Sequence, residues 1–247
     1  MERQYYQDIG YKPFLFYVIF GVSAEELEVS RSKHNVDGLP EGLDIRAYNR
    51  EEHGEWIDGW FTGAYEVVLK SADSDLFVRC RQAGKCSVLQ GNVEEDSTLD
   101  YMRNAIGIIQ AFIDKGAVGI LDPQTVRLYS PEQWTEQFFG QDVNAQNHVM
   151  IYHSLEEDGY WIHTRGMAEF GRPDIGIYGV PEEKLHDYQQ VASQMIFYGG
   201  QGLFFNGKAR LHTADGKSFV IDPEFVDDFD NVDYNNAYYK VTVLEEE

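Results

Sequence analysis

Two segments of the chain repeat apolar residues with the period of an α-helix, and short apolar stretches surround both of them. The first repeat ends at Gly116, and the second begins after Pro181. Apolar residues at i, i+3, i+4 and i+7 predict amphipathic helices, which bury their apolar faces against another element. The apolar positions are Met102, Ala105, Ile106, Ile109, Phe112 and Ile113 in the first helix, and Leu185, Tyr188, Val191, Met195 and Ile196 in the second.

Apolar or alternating runs predict β-strands around these helices. Capping boxes at 23–26 and 130–133 predict two short helices, and the polar stretch from Arg31 to Gly54 predicts a long loop. The expected fold is therefore α+β, with mixed or antiparallel sheets and two long packed helices. The predicted strands are Phe14–Val22, Tyr65–Leu69, Leu76–Cys80, Cys86–Gln90, Ala117–Leu121, His148–His153, Tyr160–Thr164, Ile175–Tyr178, Ser218–Ile221 and Tyr239–Leu244.

The two halves of the chain share an order of elements: strands, a long helix, and a short strand that ends in Asp-Pro. The last part reads Val118–Pro123 in one half and Ser218–Pro223 in the other. This order suggests a diverged duplication, although Asp-Pro is also a common turn dipeptide. The best place to divide the chain lies between Gly140 and Gln146. We predict an N-terminal half of residues 1–140 and a C-terminal half of residues 141–247, or one continuous domain.

The chain is strongly acidic, with 42 Asp and Glu residues against 20 Lys and Arg residues and a net charge of −22. Such a charge repels nucleic acid and anionic membranes and attracts basic partners, or it keeps the surface solvated. Because 43% of the residues are hydrophobic and 14% are aromatic, the chain is expected to fold around a core. Phe14–Val22 is too short to span a bilayer, so we expect a cytoplasmic protein.

Metal and cofactor motifs are missing from the sequence. Cys80 and Cys86 flank a predicted hairpin turn and would pair across it if its ends came close, but free thiols are expected in a cytosolic protein. His148, His153 and His163 match no metal-ligand spacing, and the glycine patterns that bind phosphate are absent. We therefore expect no metal and no cofactor.

One short segment, Trp161–Asp174, combines the residue types of a catalytic site. In an enzyme, Arg165 and Arg172 would hold an anionic group, and His163 would move a proton while Glu169 or Asp174 orients it. The alternative is a structural role, in which Arg172 pairs with a carboxylate and fixes a tight turn.

A second segment, from Asp222 to Tyr234, is dense in carboxylates with aromatic residues between them. It lacks the glycine and glutamate of an EF-hand loop, so calcium binding is not indicated. We expect it to be a solvated face that docks a basic partner. The candidate partner-binding residues are Asp227, Asp228, Asp230, Asp233 and Phe229.

The chain resembles a bacterial family of uncharacterised α+β domains. The resemblance rests on a tryptophan-led core, with Trp161, His163–Gly166 and Phe170–Asp174, and extends to Leu99–Pro123. In that second stretch the matching residues are Arg103-Asn104, Gly116 and Asp122-Pro123. The resemblance implies a cytoplasmic bacterial protein, and some relatives are similar to products of toxin–immunity gene neighbourhoods.

Three functions remain open. The first is a non-enzymatic binding protein, most concretely an immunity-type inhibitor that occludes a basic partner protein such as a toxin. The second is an enzyme that acts on an anionic small molecule at His163–Asp174. The third is a structural module whose charge only keeps it in solution. None of the three involves nucleic acid or a membrane.

Overall fold

The computed structural model describes residues 1–213 and 215–245. The chain divides into two compact units. The first unit consists of Met1 and Phe14–Val143, and the second consists of Glu2–Pro13 and Asn144–Glu247. Helices and sheets occur in both units, and the fold is α+β as predicted.

The first unit is built on an antiparallel sheet of five strands in the order β2-β3-β1-β4-β5. The strands are β1 (Phe14–Phe20), β2 (Leu43–Asn49), β3 (Lys85–Asn92), β4 (Gly119–Asp122) and β5 (Arg127–Tyr129). The helices are α1 (Arg31–His34), α2 (Arg50–Gly59), α3 (Gly63–Ala72), α4 (Ser74–Arg81), α5 (Asp100–Asp114) and α6 (Pro131–Gln137), with a 3-10 helix at Ala24–Glu26.

Alternation along β1 fills both faces of this sheet. Phe20 points to one face, where its ring lies 5.1 Å from Phe61, in the core that also contains residues of α2, α3 and α4. Tyr17 points to the other face and lies 5.4 Å from Trp134 of α6. Thr135 of α6 donates a hydrogen bond to Gln110, which places α5 beside α6. The sheet is therefore covered by helices on both faces.

The second unit is built on a mixed sheet of six strands in the order β6-β7-β8-β11-β10-β9, in which only the β8–β11 pair is parallel. The strands are β6 (Met150–Glu156), β7 (Gly159–Arg165), β8 (Asp174–Val180), β9 (Ala209–His212), β10 (Ser218–Val226) and β11 (Tyr238–Glu245). The helices are α7 (Ala145–His148) and α8 (Leu185–Gly200), with 3-10 helices at Met167–Phe170 and Glu182–Lys184.

Helix α8 packs on one face of the second sheet. It contacts β6, β7, β8 and β9. The face is identified by His153 of β6, which pairs with Ile162 of β7 and is hydrogen-bonded to Gln189 of α8. Because neighbouring residues of a strand point to opposite faces, Trp161 and His163 lie on the face away from α8.

Several predicted elements are confirmed. Helix α5 runs from Asp100 to Asp114, within the segment with the strongest helical period. Helix α6 begins with the predicted capping box, in which the Ser130 hydroxyl accepts a hydrogen bond from the Gln133 backbone and the Gln133 side chain accepts one from the Ser130 backbone.

The predicted strands at Tyr65–Leu69 and Leu76–Cys80 are wrong, because both segments are helical. In α3 only Leu69 is buried, and Val67 is 70% exposed, so the apolar run does not mark a core strand. Helix α4 starts where the Asp73 side chain accepts hydrogen bonds from the backbone N–H groups of Asp75 and Leu76. A side-chain cap therefore decides the helical state of a segment that is apolar enough for a strand.

Three smaller predictions also need correction. The predicted loop from Arg31 to Gly54 contains α1, β2 and the first half of α2, because Leu43–Asn49 pairs along its whole length with β3. His148 lies in α7 and not in a strand. Asp222-Pro223 lies within β10, which continues to Val226; Pro223 is tolerated because it lies past the end of β9, where one side of β10 is unpaired.

The shared order of elements does not extend to the same strand order. Helix α5 connects β3 to β4, which have β1 between them, whereas α8 connects β8 to β9, which have β11 and β10 between them. The duplication stays a hypothesis. In the described ranges, no helix is long and apolar enough to cross a membrane.

Candidate functional site

The structure divides the five candidate catalytic residues between two environments. His163 and Arg165 lie half-buried on β7, on the face away from α8. Glu169, Arg172 and Asp174 are buried. Thr164, which lies between His163 and Arg165, points to the opposite face and donates a hydrogen bond to Asp174 over 2.7 Å. Two of the five residues therefore lie on an open face, and the other three are buried.

Arg172 holds backbone segments together. Its guanidinium donates to the carbonyl of Gly171 from Nη1 over 2.7 Å and to the carbonyl of Gln7 from Nη2 over 2.7 Å. Nε and Nη2 both donate to the carbonyl of Gly202. The side chain is 3% exposed, so these bonds are shielded from water. Arg172 thus fixes a turn through bonds to backbone carbonyls, and its pairing with the carboxylate of Asp174 or Glu169 stays a prediction.

The two buried carboxylates are also held by the protein. Asp174 accepts hydrogen bonds from the Thr164 hydroxyl, from the Met167 backbone and from the Asn236 side chain. Burial raises the pKa of Asp174 to about 6, and these hydrogen bonds oppose the shift. Glu169 lies 3.2 Å from Nδ1 of the buried His148.

The open face of the second sheet carries a cluster of rings that we call the aromatic face. Its members are Tyr152, Trp161, His163, Tyr178, Tyr234 and Tyr238.

Four of these rings stack in a row across three strands. His163 lies 5.5 Å from Tyr152 and 3.8 Å from Trp161, and Trp161 lies 5.6 Å from Tyr178. The interplanar angles are 27°, 21° and 9°. Trp161, His163 and Tyr178 come from β7 and β8, and Tyr152 comes from β6, where it pairs directly with His163. The register of the sheet therefore builds the row.

Tyr234 holds the row from the side. Its hydroxyl accepts a hydrogen bond from Nε1 of Trp161 over 3.2 Å and lies 3.0 Å from the hydroxyl of Tyr178. Its ring stacks on Tyr238 at 4.2 Å. Gly176 makes room for this arrangement, because a Cβ at that position would lie 2.0 Å from the Tyr234 hydroxyl. Burial raises the pKa of Tyr234 well above its usual range.

His163 is neutral within this row. Burial is the main cause that lowers its pKa to about 4, and the charge of Arg165 adds to it, whereas Asp233 opposes it. Among the residues that the structure describes, Nδ1 of His163 has no hydrogen-bond partner. The imidazole therefore packs between the rings of Tyr152 and Trp161 without adding a positive charge to the row.

Tyr234 belongs to the loop of residues 227–237 between β10 and β11, which we call the acidic loop. Asp227, Asp228, Asp230 and Asp233, which were predicted to bind a partner, are all exposed there. Phe229, the fifth predicted residue, is 50% exposed. The acidic loop therefore presents the predicted group on the surface, beside the aromatic face.

The part of the chain that the structure describes contains neither a metal-binding cluster nor a reactive thiol. In residues 1–213 and 215–245, no group of His, Cys, Asp and Glu is arranged to hold a metal ion. Cys80 and Cys86 are free and buried. Burial raises the pKa of each thiol to about 12, so neither is an effective nucleophile at neutral pH.

His163 and Asp174 are expected to give the second unit opposite responses to pH. As pH falls from about 6.5 to about 4, unfolded His163 binds a proton and folded His163 does not, so stability is lost. Asp174 has a raised folded pKa, so its contribution is present at low pH and is lost as pH rises through about 6.

We therefore expect His163→Gln to remove the acid-sensitive part. Relative to this variant, the wild type should lose about 1–2 kcal/mol between pH 6.5 and pH 4, a value discounted because His163 is half-exposed. Urea unfolding at several pH values measures this difference. His186→Gln, at an exposed position of α8, is the control and should follow the wild type. A wild-type-minus-variant difference that stays constant with pH would contradict the expectation.

Tyr152, Tyr178 and Tyr238 of the aromatic face were not predicted from the sequence, and Tyr234 was expected only as an aromatic residue of the acidic segment. The available signal was the alternation of Trp161, His163 and Arg165 along a predicted strand, since alternate residues share a face.

Comparison of the chain with protein-family models, curated proteins and solved structures finds no match.

Proposed function

We propose that this chain is a non-enzymatic binding protein that docks on a basic protein, and most concretely an immunity-type inhibitor that covers a basic surface of a toxin. The observation that carries the proposal is the acidic loop, where exposed carboxylates and exposed apolar side chains alternate. The predicted resemblance to a family with members near toxin–immunity genes points to the same function, although no family model or curated protein matches the chain. A binding surface needs such apolar groups as well as charge, because charge alone sets encounter more than affinity.

The carboxylates of the acidic loop are available to a partner. Elsewhere many cations are neutralised within the chain, in pairs such as Lys33–Asp114, Lys85–Glu26, Lys115–Glu28, Lys217–Asp187 and Arg50–Asp58. Within the described ranges, no Lys or Arg forms an ion pair with Asp227, Asp228 or Asp230. The Tyr11 hydroxyl donates a hydrogen bond to Asp227 but carries no charge, so the negative charge of the three carboxylates can act on molecules outside the chain.

Two apolar side chains project between these carboxylates. Phe229 is 50% exposed and Val232 is 88% exposed. The loop around them is anchored at its base, since Tyr234 is buried in the aromatic face and Asn236 donates to Asp174 and to the carbonyl of Arg172. On the other side, Tyr11 contacts the Phe229 ring at 5.5 Å. An anchored loop loses less conformational entropy on binding than a free one.

The proposal predicts that charge on the acidic loop controls affinity. The immobilised chain would be incubated with an extract of the source cells, and the retained protein would be identified and purified. The Kd between that protein and the chain would then be measured at two salt concentrations. A basic protein is expected, with weaker binding at high salt because the attraction is screened. Replacing Asp227, Asp228 and Asp230 with Asn should weaken binding about 10- to 100-fold.

The matched control removes the same charge elsewhere. Glu55, Glu95 and Glu183 are exposed and lie outside the acidic loop, and their replacement with Gln should change Kd less than about threefold. If both triple variants weaken binding equally, the effect comes from net charge and not from this loop. If the acidic-loop variant binds as tightly as the wild type, or if the captured partner is acidic, the proposal fails.

The enzyme hypothesis draws less support from the geometry. It requires Arg165 and Arg172 to hold one anion together, whereas the Arg172 guanidinium donates to three backbone carbonyls. Arg165 donates to the carbonyl of Asp233 over 3.2 Å. The enzyme hypothesis is tested directly by Arg165→Ala. If the hypothesis holds, the wild type binds an anionic small molecule such as phosphate and the variant does not. If neither protein binds phosphate, the enzyme hypothesis has no anion site.

A further inference from the structure

Tyr178 stands at one end of the stacked row on the aromatic face. The row runs from Tyr152 through His163 and Trp161 to Tyr178. Tyr178 is the most exposed ring in it, at 41%. Its hydroxyl is fixed by Tyr234, and its plane is almost parallel to that of Trp161. A planar group that arrives from solvent therefore meets a ring that is already oriented.

Carboxylates lie near this ring on two sides. Burial is the largest cause of the raised pKa of Tyr178, and the charges of Asp233 and Glu156 add to it. Asp233 belongs to the acidic loop, and Glu156 ends β6 at the turn into β7. Both residues are exposed. Glu156 shares a face of β6 with Tyr152, and Asp233 directly precedes Tyr234, whose hydroxyl contacts that of Tyr178, so both carboxylates lie near this ring.

Two cations also lie on this side of the sheet, but both face acceptors. The Arg165 guanidinium donates to the carbonyl of Asp233. Lys240 of β11 pairs in register with Glu224 of β10, so their side chains point to the same face. The neutral His163 adds no charge. The field around Tyr178 therefore favours a cation over an anion.

We infer that the open side of Tyr178 receives an arginine side chain of the basic partner, with Asp233 and Glu156 as its charge partners. This inference rests on the proposed function and names the chemistry of the contact. A guanidinium is planar and stacks on an aromatic face, and its fork of N–H groups bonds carboxylates at the same time. A lysine ammonium is a point charge that cannot stack, and a nucleobase would bring phosphate into an acidic field.

Nona-arginine and nona-lysine separate this contact from charge alone, because the two peptides carry the same charge. The wild type should bind nona-arginine about five- to tenfold more tightly than nona-lysine in fluorescence anisotropy titrations. Tyr178→Ala should abolish most of that preference, and Tyr178→Phe should retain it because the ring remains. Since Tyr178 is 41% exposed, the melting temperature of the alanine variant should stay close to that of the wild type.

The controls distinguish a failure of this inference from a failure of the proposed function. Tyr5→Ala removes another exposed ring of the same unit and should leave the preference intact. The triple Asn variant of the acidic loop should weaken both peptides. If the wild type binds the two peptides equally, or if Tyr178→Ala keeps the preference, the arginine contact is wrong. If the Tyr178 results come out as expected but the triple Asn variant binds both peptides as tightly as the wild type does, the proposed role of the acidic loop is wrong.

Discussion

Replacing Arg172 with alanine should lower the free energy of unfolding of the second unit by about 3–5 kcal/mol. The guanidinium donates hydrogen bonds to the carbonyls of Gln7, Gly171 and Gly202, and the bonds to Gly171 and Gly202 are buried. Alanine removes all of these donors at once. The Gly202 carbonyl keeps the bond that it accepts from the Gln7 backbone, whereas a buried acceptor that is left unsatisfied destabilises by about 1–3 kcal/mol. Because a whole domain is stable by only about 5–15 kcal/mol, this is a large fraction of the total.

Urea unfolding followed by circular dichroism measures the change. Arg172→Lys should fall between the wild type and the alanine variant, because one ammonium group cannot replace a fork that reaches three carbonyls. Arg165→Ala is the matched control from the same segment, since its side chain is half-exposed, and it should cost less than about 1 kcal/mol. An Arg172→Ala protein as stable as this control would show that the buried bonds contribute little.

Replacing Trp134 with alanine should destabilise the first unit by about 3–5 kcal/mol. Trp134 is 1% exposed and contacts three rings, with centroids at 5.4 Å from Tyr17, 5.8 Å from Tyr129 and 4.7 Å from Phe138. Alanine would leave a cavity between α6 and the sheet. Hydrogen exchange measured by mass spectrometry should show the loss of protection in peptides from residues 14–143.

Trp134→Phe is the informative control. Among the residues that the structure describes, Nε1 of Trp134 has no hydrogen-bond partner. Phenylalanine keeps a ring in the cluster and removes a buried donor that is unpaired, so the loss should stay below about 1.5 kcal/mol. If Trp134→Phe were as damaging as Trp134→Ala, packing of the ring would not be the main contribution of this residue.

Sequence patterns predicted the elements whose packing agrees with their local period. Helix α5 is an example, because its apolar residues are also the ones that the unit buries. Helix α3 is the opposite case. Its Val67 and Val68 favour a strand by propensity, but both are exposed in the structure, and Leu69 alone is buried. The helical state of α3 therefore does not follow from the propensity of its valines, and a single-segment pattern does not predict it.

The candidate site was predictable only in part for a similar reason. The acidic loop is a continuous stretch, so its carboxylates and Phe229 could be grouped from the sequence. The aromatic face combines residues of β6, β7, β8 and the acidic loop, and it depends on a register that local patterns do not give. Glu169, Arg172 and Asp174 lie near His163 in the chain but are buried, since the 3-10 helix at Met167–Phe170 carries them into the interior.

The discontinuous second unit has a consequence for folding during synthesis. Residues 2–13 belong to it, and Arg3 donates to the carbonyl of Gly200, which is 197 residues away. At about 5–20 residues per second, the ribosome needs about 10–40 s to make that partner. The first unit can fold during this delay, whereas the second unit, to which residues 2–13 belong, is not yet complete. Nascent chains halted before Gly200 should therefore leave this segment open to protease.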